Sequence, residues 1–186
     1  DSGAAVYHAS QAGGAAADHD GSYDMREVEI RDGRGETFDL DSAGFMLTDH
    51  ASSVTDWHDD AVLSQIYEAE AKALVRRITG ARRIEVFDHT RRAASDSLRR
   101  NQVMREPSSV IHNDYTPWSA ERRLRDILPG EAEMLLSRRF AIVNIWRSIA
   151  GRVETNPLAF CDSRTLADGD LVEVTRQAKD RIGQIQ

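Results

Sequence analysis

The chain has 186 residues, 40% of them apolar, and sets 24 Lys and Arg against 31 Asp and Glu for a formal net charge of −7. That length suits one domain and the apolar share excludes wholesale disorder, while the acidic balance excludes a nonspecific nucleic-acid binder, which needs a net basic face. No window approaches the roughly 20 consecutive apolar residues of a membrane span, and a single cysteine, Cys161, excludes an internal disulfide framework or a Cys-rich zinc site.

Residues 1–24 are rich in Ala, Gly, Ser and Asp and carry neither a basic n-region nor an apolar h-region. Residues 1–24 read as a flexible N-terminal arm, with His8 and His19 solvated on it, and the run Gln11-Ala12-Gly13-Gly14-Ala15-Ala16-Ala17 within it as a mobile arm or long loop. Residues 25–186 read as one domain. Alternation at 28–31 and again at 37–40, around Asp32-Gly33, predicts a hairpin. Val62, Leu63, Ile66, Tyr67, Leu74, Val75 and Ile78 follow helical spacing, so a helix is predicted over 59–79, capped by Asp56 or a neighbour and stopped by Gly80. His50 and His58 near its start read as solvated.

Strands are predicted at 82–87, 110–114, 140–147, 158–162 and 171–174, and short helices at 119–128 and 131–137. Residues 91–107 read as a loop with some helical content. One long helix followed by several strands, with no regular helix between each pair, predicts an α+β fold. Only Lys72 and Lys179 are lysines. That skew towards arginine suggests a GC-rich bacterial genome, and the lone thiol suggests a reducing, cytoplasmic compartment. Paired arginines such as Arg122-Arg123 read as a solvated, salt-bridged surface, or as one or two anchors for a carboxylate ligand.

The motif with most chemical content is His112-Asn113-Asp114 at the end of an apolar run. On a strand, residues i and i+2 share a face, so an imidazole and a carboxylate can converge on one point. With one further histidine they form a facial triad of two His and one carboxylate. That donor set suits Fe(II) and leaves positions open for a cosubstrate and dioxygen. The same three residues also fit a strand-end histidine hydrogen-bonded to a loop carboxylate.

The ordered segments Phe87-Asp88-His89-Thr90-Arg91, Val110-Ile111-His112-Asn113-Asp114-Tyr115-Thr116, Asn144-Ile145-Trp146-Arg147 and Pro157-Leu158-Ala159-Phe160-Cys161-Asp162 resemble the CmcJ/AsaB-type hydroxylase–desaturase family. Val28-Glu29-Ile30-Arg31-Asp32 and Gly44-Phe45 resemble its N-terminal strand and turn, so the resemblance spans roughly residues 26–186. It implies a double-stranded β-helix (jelly-roll) core with flanking helices, non-haem Fe(II), and 2-oxoglutarate as cosubstrate. It implies oxidation of a small-molecule natural-product intermediate by dioxygen, with hydroxylation or desaturation as the outcome. His112 and Asp114 would then be catalytic residues and two of three iron ligands.

The family's second iron-binding histidine lies downstream of this pair, and none of His8, His19, His50, His58, His89 and His112 follows Asp114. Three explanations stand: the histidine belongs to a C-terminal segment outside this chain, His89 is the third ligand, or the protein is a metal-free relative. Such a segment would also carry the arginine for the oxo acid's far carboxylate and the last strands of the jelly roll. Without those strands, open sheet edges would favour a homodimer.

His89 and Arg91 are candidate substrate contacts, with a local hydrogen-bonded turn the other reading of His89. Arg147 is a candidate anchor for the oxo acid, or a partner in a salt bridge. Asn144 and Trp146 share a face and are candidates for cofactor and substrate contact respectively, although a tryptophan there also suits a core. Tyr115 is a candidate substrate contact or a packing residue. Cys161 between apolar neighbours reads as a buried small hydrophobe. Two further functions fit the same residues: a noncatalytic jelly-roll binding or scaffold protein, and a hydrolase whose metal activates water.

Overall fold

The computed structural model describes residues 5–14, 17–21, 26–108, 110–177 and 182–186. In chain order they form β1 (Val6–His8), β2 (Asp18–His19), α1 (Asp60–Val62), a π-helical stretch (Leu63–Tyr67), α2 (Glu68–Thr79), α3 (Asp96–Asn101), α4 (Pro117–Ile127), α5 (Ala132–Leu136), a 3-10 turn (Ser163–Thr165), β3 (Val174–Gln177) and β4 (Ile182–Ile185). The class is α+β. Two compact units result. The first comprises Asp1–Asp32, Thr90–Val143 and Leu158–Gln186, and the second Gly33–His89 and Asn144–Pro157. Among the described residues, no helix is long and apolar enough to cross a membrane.

The second unit is organised by the predicted long helix. The Asp59 carboxylate accepts from the amides of Ala61 at 2.8 Å and Val62 at 3.3 Å, which satisfies first-turn donors. At the other end Gly80 adopts φ 69°, the left-handed conformation that lets its N–H close on the Arg76 carbonyl. Leu63, Ala71 and Leu74 are the buried face. The π-helical stretch inserts a wider turn between α1 and α2, so Tyr67 and Glu68 leave the phase the periodicity gives them. Glu70 accepts from the Ser53 amide at 2.7 Å and the Ser52 hydroxyl at 2.5 Å, which ties the preceding loop to the helix.

The predicted hairpin is not formed. Phe38 folds back on Gly33, where an added Cβ would stand 2.9 Å from its ring, and packs on Phe45 with centroids 4.6 Å apart. Val28 and Ile30 stay exposed, so the apolar face of their alternation is not buried.

The first unit holds a four-stranded sheet in the order β2-β1-β3-β4. β1 runs parallel to β3, pairing Tyr7 with Arg176, while β2 and β4 run antiparallel to their neighbours. The Ala- and Gly-rich segment read as a mobile arm thus carries β1 and β2. The short β-forming run Val6-Tyr7-His8 finds a ladder partner some 170 residues away in the chain, which composition alone does not reveal.

α4 begins earlier than predicted. Pro117 sits at the first helical position and Thr116, not Ser119, caps it, with Ser119 completing a reciprocal capping box. The predicted strand at 171–174 moves to β3. The runs 82–87, 110–114, 140–147 and 158–162 form no strand among the described residues. Their alternation is right, but a strand needs a ladder partner, and Ile111, Val143, Ile145, Leu158 and Phe160 remain exposed. The two facing sheets of a jelly roll are accordingly not formed by the described residues.

Candidate metal centre

The segment carrying His112 and Asp114 runs beside the end of β4. The Asn113 N–H donates to the Gln186 carbonyl, and the Gln186 N–H donates back to the Asn113 carbonyl at 3.1 Å. This reciprocal pair has the pattern of an antiparallel ladder rung and fixes the register of residue 113. Just downstream, the Thr116 hydroxyl donates to Gln184 Oε1 at 3.0 Å and the Ser119 hydroxyl donates to the Gln184 carbonyl at 2.9 Å. β4 and the residue after it therefore hold the His-x-Asp run and the start of α4 together.

Within that run, His112 Nδ1 lies 2.8 Å from the Val110 carbonyl. A carbonyl only accepts, so Nδ1 carries the hydrogen and the neutral ring keeps its lone pair on Nε2. Nε2 faces Asp114 Oδ1 at 3.4 Å. The His112 pKa is raised, chiefly by the hydrogen bond to Asp114 and further by the Val110 carbonyl, against burial and the nearby Arg92 charge. The Tyr7 ring stacks over the imidazole at 6.4 Å between centroids and 28° between planes.

This donor pair fits a first-row divalent ion. Two N and O donors at about 2.0–2.2 Å from one ion are separated by about 3.0–3.6 Å for ordinary bond angles, and the observed gap lies in that range. The Nδ1–H to carbonyl bond is the arrangement that orients metal-binding histidines. Among the described residues, no group of three or more His, Cys, Asp or Glu side chains gathers to hold an ion.

The other candidates divide between the units. Tyr115 and Arg91 lie in the first unit with the pair. Tyr115 is half-buried, and the Arg91 carbonyl accepts from the Arg105 amide at 2.9 Å. His89, Asn144, Trp146 and Arg147 lie in the second unit. There His89 Nε2 is 3.4 Å from Glu68 Oε1, and its ring stands 6.2 Å from that of Tyr67. The Arg147 guanidinium stacks over Trp57 at 4.5 Å and lies 5.9 Å from the Tyr67 ring, while its Nη2 donates to the His50 carbonyl at 3.4 Å. Arg147 Nε is buried without a hydrogen-bond partner. Trp146 and Asn144 are exposed, and so is Cys161, contrary to the buried position expected of it. Trp57, Tyr67 and Tyr7 escape sequence reasoning. The first two meet Arg147 only through the loop before the helix and the π-helical stretch, and Tyr7 lies in a segment read as an arm.

A family model described as "Oxidoreductase/YMDC permease-like domain" matches residues 1–186. The chain belongs to this oxidoreductase family. Its relatives include the hydroxylase/desaturase CTB9 of Cercospora beticola, 34% identical over 167 residues that make up 80% of this chain and 50% of that protein. Another is the Fe(II)/2-oxoglutarate-dependent dioxygenase nvfI of Aspergillus novofumigatus, 31% identical over 153 residues, or 78% of this chain and 54% of that one. Among solved structures, the iron and alpha-ketoglutarate-dependent endoperoxidase NvfI aligns with a TM-score of 0.59 and 25% identity, covering 72% of this chain and 51% of its own.

The chain spans about half the length of the curated relatives it matches. Membership among hydroxylase/desaturase relatives bears out the resemblance carried by the ordered motifs. The expectation of a bacterial source is corrected, because these relatives are fungal. Arginine-rich composition does not identify a kingdom.

Proposed function

We propose that this chain carries the His-x-Asp part of the iron site in an Fe(II)/2-oxoglutarate-dependent oxygenase that hydroxylates or desaturates a small-molecule natural-product intermediate. The observation that carries the reading is the convergence of His112 Nε2 and Asp114 Oδ1 at 3.4 Å. Its presence in a family with dioxygenase relatives supplies the reaction class. When bound, Fe(II) with 2-oxoglutarate supplies open coordination positions and the redox change for dioxygen chemistry.

The chain's own residues prepare the site. The Val110 carbonyl holds Nδ1–H and so aims the Nε2 lone pair. Asp114 contributes a charged oxygen on the same side, and the Asn113–Gln186 rung keeps both side chains in register. Among the described residues no third His, Cys, Asp or Glu gathers with the pair.

At the residue level, the same proposal gives Arg147 and Asn144 to the oxo acid, and His89, Arg91, Tyr115 and Trp146 to the substrate. The buried, unpartnered Nε of Arg147 supports its part. A jelly-roll core belongs to the proposal too, and the extended apolar runs at 110–114, 140–147 and 158–162 support it. Action in the cytoplasm and homodimer formation complete it, resting on the lone thiol and on the exposed apolar runs.

Anaerobic titration with Fe(II) and 2-oxoglutarate tests the ligands. The wild-type chain should develop a metal-to-ligand charge-transfer band, and His112→Ala should lose it. A band unchanged in His112→Ala overturns the assignment.

A further inference from the structure

The His112 imidazole is stacked against a side chain that comes from β1, two strands away from β4 in the sheet. Tyr7 arrives on β1, which is held on both edges. The Ala9 N–H donates to the Gln177 carbonyl at 2.8 Å and the Thr175 N–H to the Ala5 carbonyl at 3.2 Å, while the Val6 N–H donates to Asp20 Oδ1 at 2.6 Å. Tyr7 is thus locked in register with Arg176 on β3, which pairs in turn with Gly183 on β4. Registered neighbours share a face of the sheet. Gly183 puts no side chain into this row, and the space a Cβ would take there is open. Beyond β4 lies the Asn113 rung, and from its neighbour the His112 ring meets the Tyr7 ring at 6.4 Å, 28° from parallel. That separation is within the range of stacked aromatic pairs.

We propose that Tyr7 is a positioning residue for His112: its ring, delivered by β1, backs the imidazole and fixes the plane in which Nε2 faces Asp114. Two restraints then define the ring. The Val110 carbonyl at Nδ1 fixes its rotation, and the Tyr7 face fixes its tilt. The phenol oxygen is not required for this role, whereas the aromatic face is. The metal part of the inference rests on the proposed iron site, but the ring contact does not.

The test uses the whole chain and three proteins: wild type, Tyr7→Phe and Tyr7→Leu. The first readout is the NMR signal of the His112 ring carbons and their protons in metal-free protein. The second is the affinity for Co(II), used as a spectroscopic probe ion. The amide exchange of Ala9 and Thr175 checks that the sheet stays paired.

Tyr7→Leu should shift the His112 ring signals, because the ring current is lost, and should weaken Co(II) binding about tenfold, the usual cost of losing a partner that orients a ligand. Tyr7→Phe should keep both readouts near wild type. Unmoved His112 signals in Tyr7→Leu, or an unchanged Co(II) affinity beside moved signals, overturn the proposal. A wild-type chain that takes up no Co(II) sinks the iron-site reading instead, and the ring signals still decide whether Tyr7 sets the imidazole.

Discussion

Glu70 shows how one side chain in the second unit ties sequence-distant segments together. Its two oxygens accept from the Ser52 hydroxyl and the Ser53 amide. Those bonds hold its pKa below the usual carboxylate value, the Ser52 hydroxyl contributing most, with the His50 charge helping and burial opposing. A carboxylate with a lowered folded pKa adds stability that is present above its unfolded pKa and lost as pH falls through the folded value. Glu70→Gln should therefore cost about 0.5–1 kcal/mol at neutral pH, after discounting for solvent screening. Wild type and variant should converge in urea unfolding once the pH has fallen below the lowered folded pKa of Glu70; a gap that persists in acid would assign the loss to packing.

Arg147 acts in the same unit through shape as well as charge. A lysine cannot reproduce a planar guanidinium stacked on Trp57. Arg147→Lys should lower stability by about 1 kcal/mol and change the Trp57 emission, so identical emission spectra would contradict the stacking.

At the scale of elements, what was legible follows from how local the signal is. The helix over 59–79 was readable because its apolar spacing, its acidic cap and Gly80 all lie within its own length. The π-helical stretch was not, because a changed hydrogen-bond register leaves no mark on the apolar pattern. Pro117 holds the true start of α4, since a proline is tolerated at the first helical position and Thr116 then becomes the cap. The extended runs expose the limit from the other side. Alternation reports that a segment fits a pleated surface, but its partner is a property of the distant chain. β1 finds β3 and β4 meets the Asn113 run by pairings that no local window contains.

The cap of α4 makes this testable. Thr116 is buried, closes the capping box and also donates to Gln184 on β4. Thr116→Ala should cost about 1–2 kcal/mol and speed amide exchange in the first turn of α4. Thr116→Ser should restore most of the loss. Equal stabilities for the alanine and serine variants would show that the methyl, not the hydroxyl, matters there.

For the molecule as a whole, the candidate site was legible as chemistry before it was legible as a place. His112 and Asp114 are two residues apart, so their convergence is a local property, whereas a third donor for the proposed ion would not be. Among the described residues the buried apolar side chains are few, and three of the seven are alanines: Ala43, Leu63, Ala71 and Leu74 in the second unit, and Met104, Ala132 and Ile185 in the first. A fold with so little dry interior is marginal, so any ligand that binds only the folded state should add visibly to its stability. An ion gripped by His112 and Asp114 is such a ligand, because unfolding releases the Gln186 rung and the Val110 carbonyl that aim the two donors. At a free Mn(II) concentration of about 100 times its dissociation constant, the gain should approach 2.7 kcal/mol. The melting temperature of wild type should rise accordingly and fall back when a chelator is added. The double variant His112→Ala/Asp114→Asn should show neither change. An equal rise in wild type and the double variant would mean that the ion binds elsewhere and that the His-x-Asp pair serves only to tie its own loop.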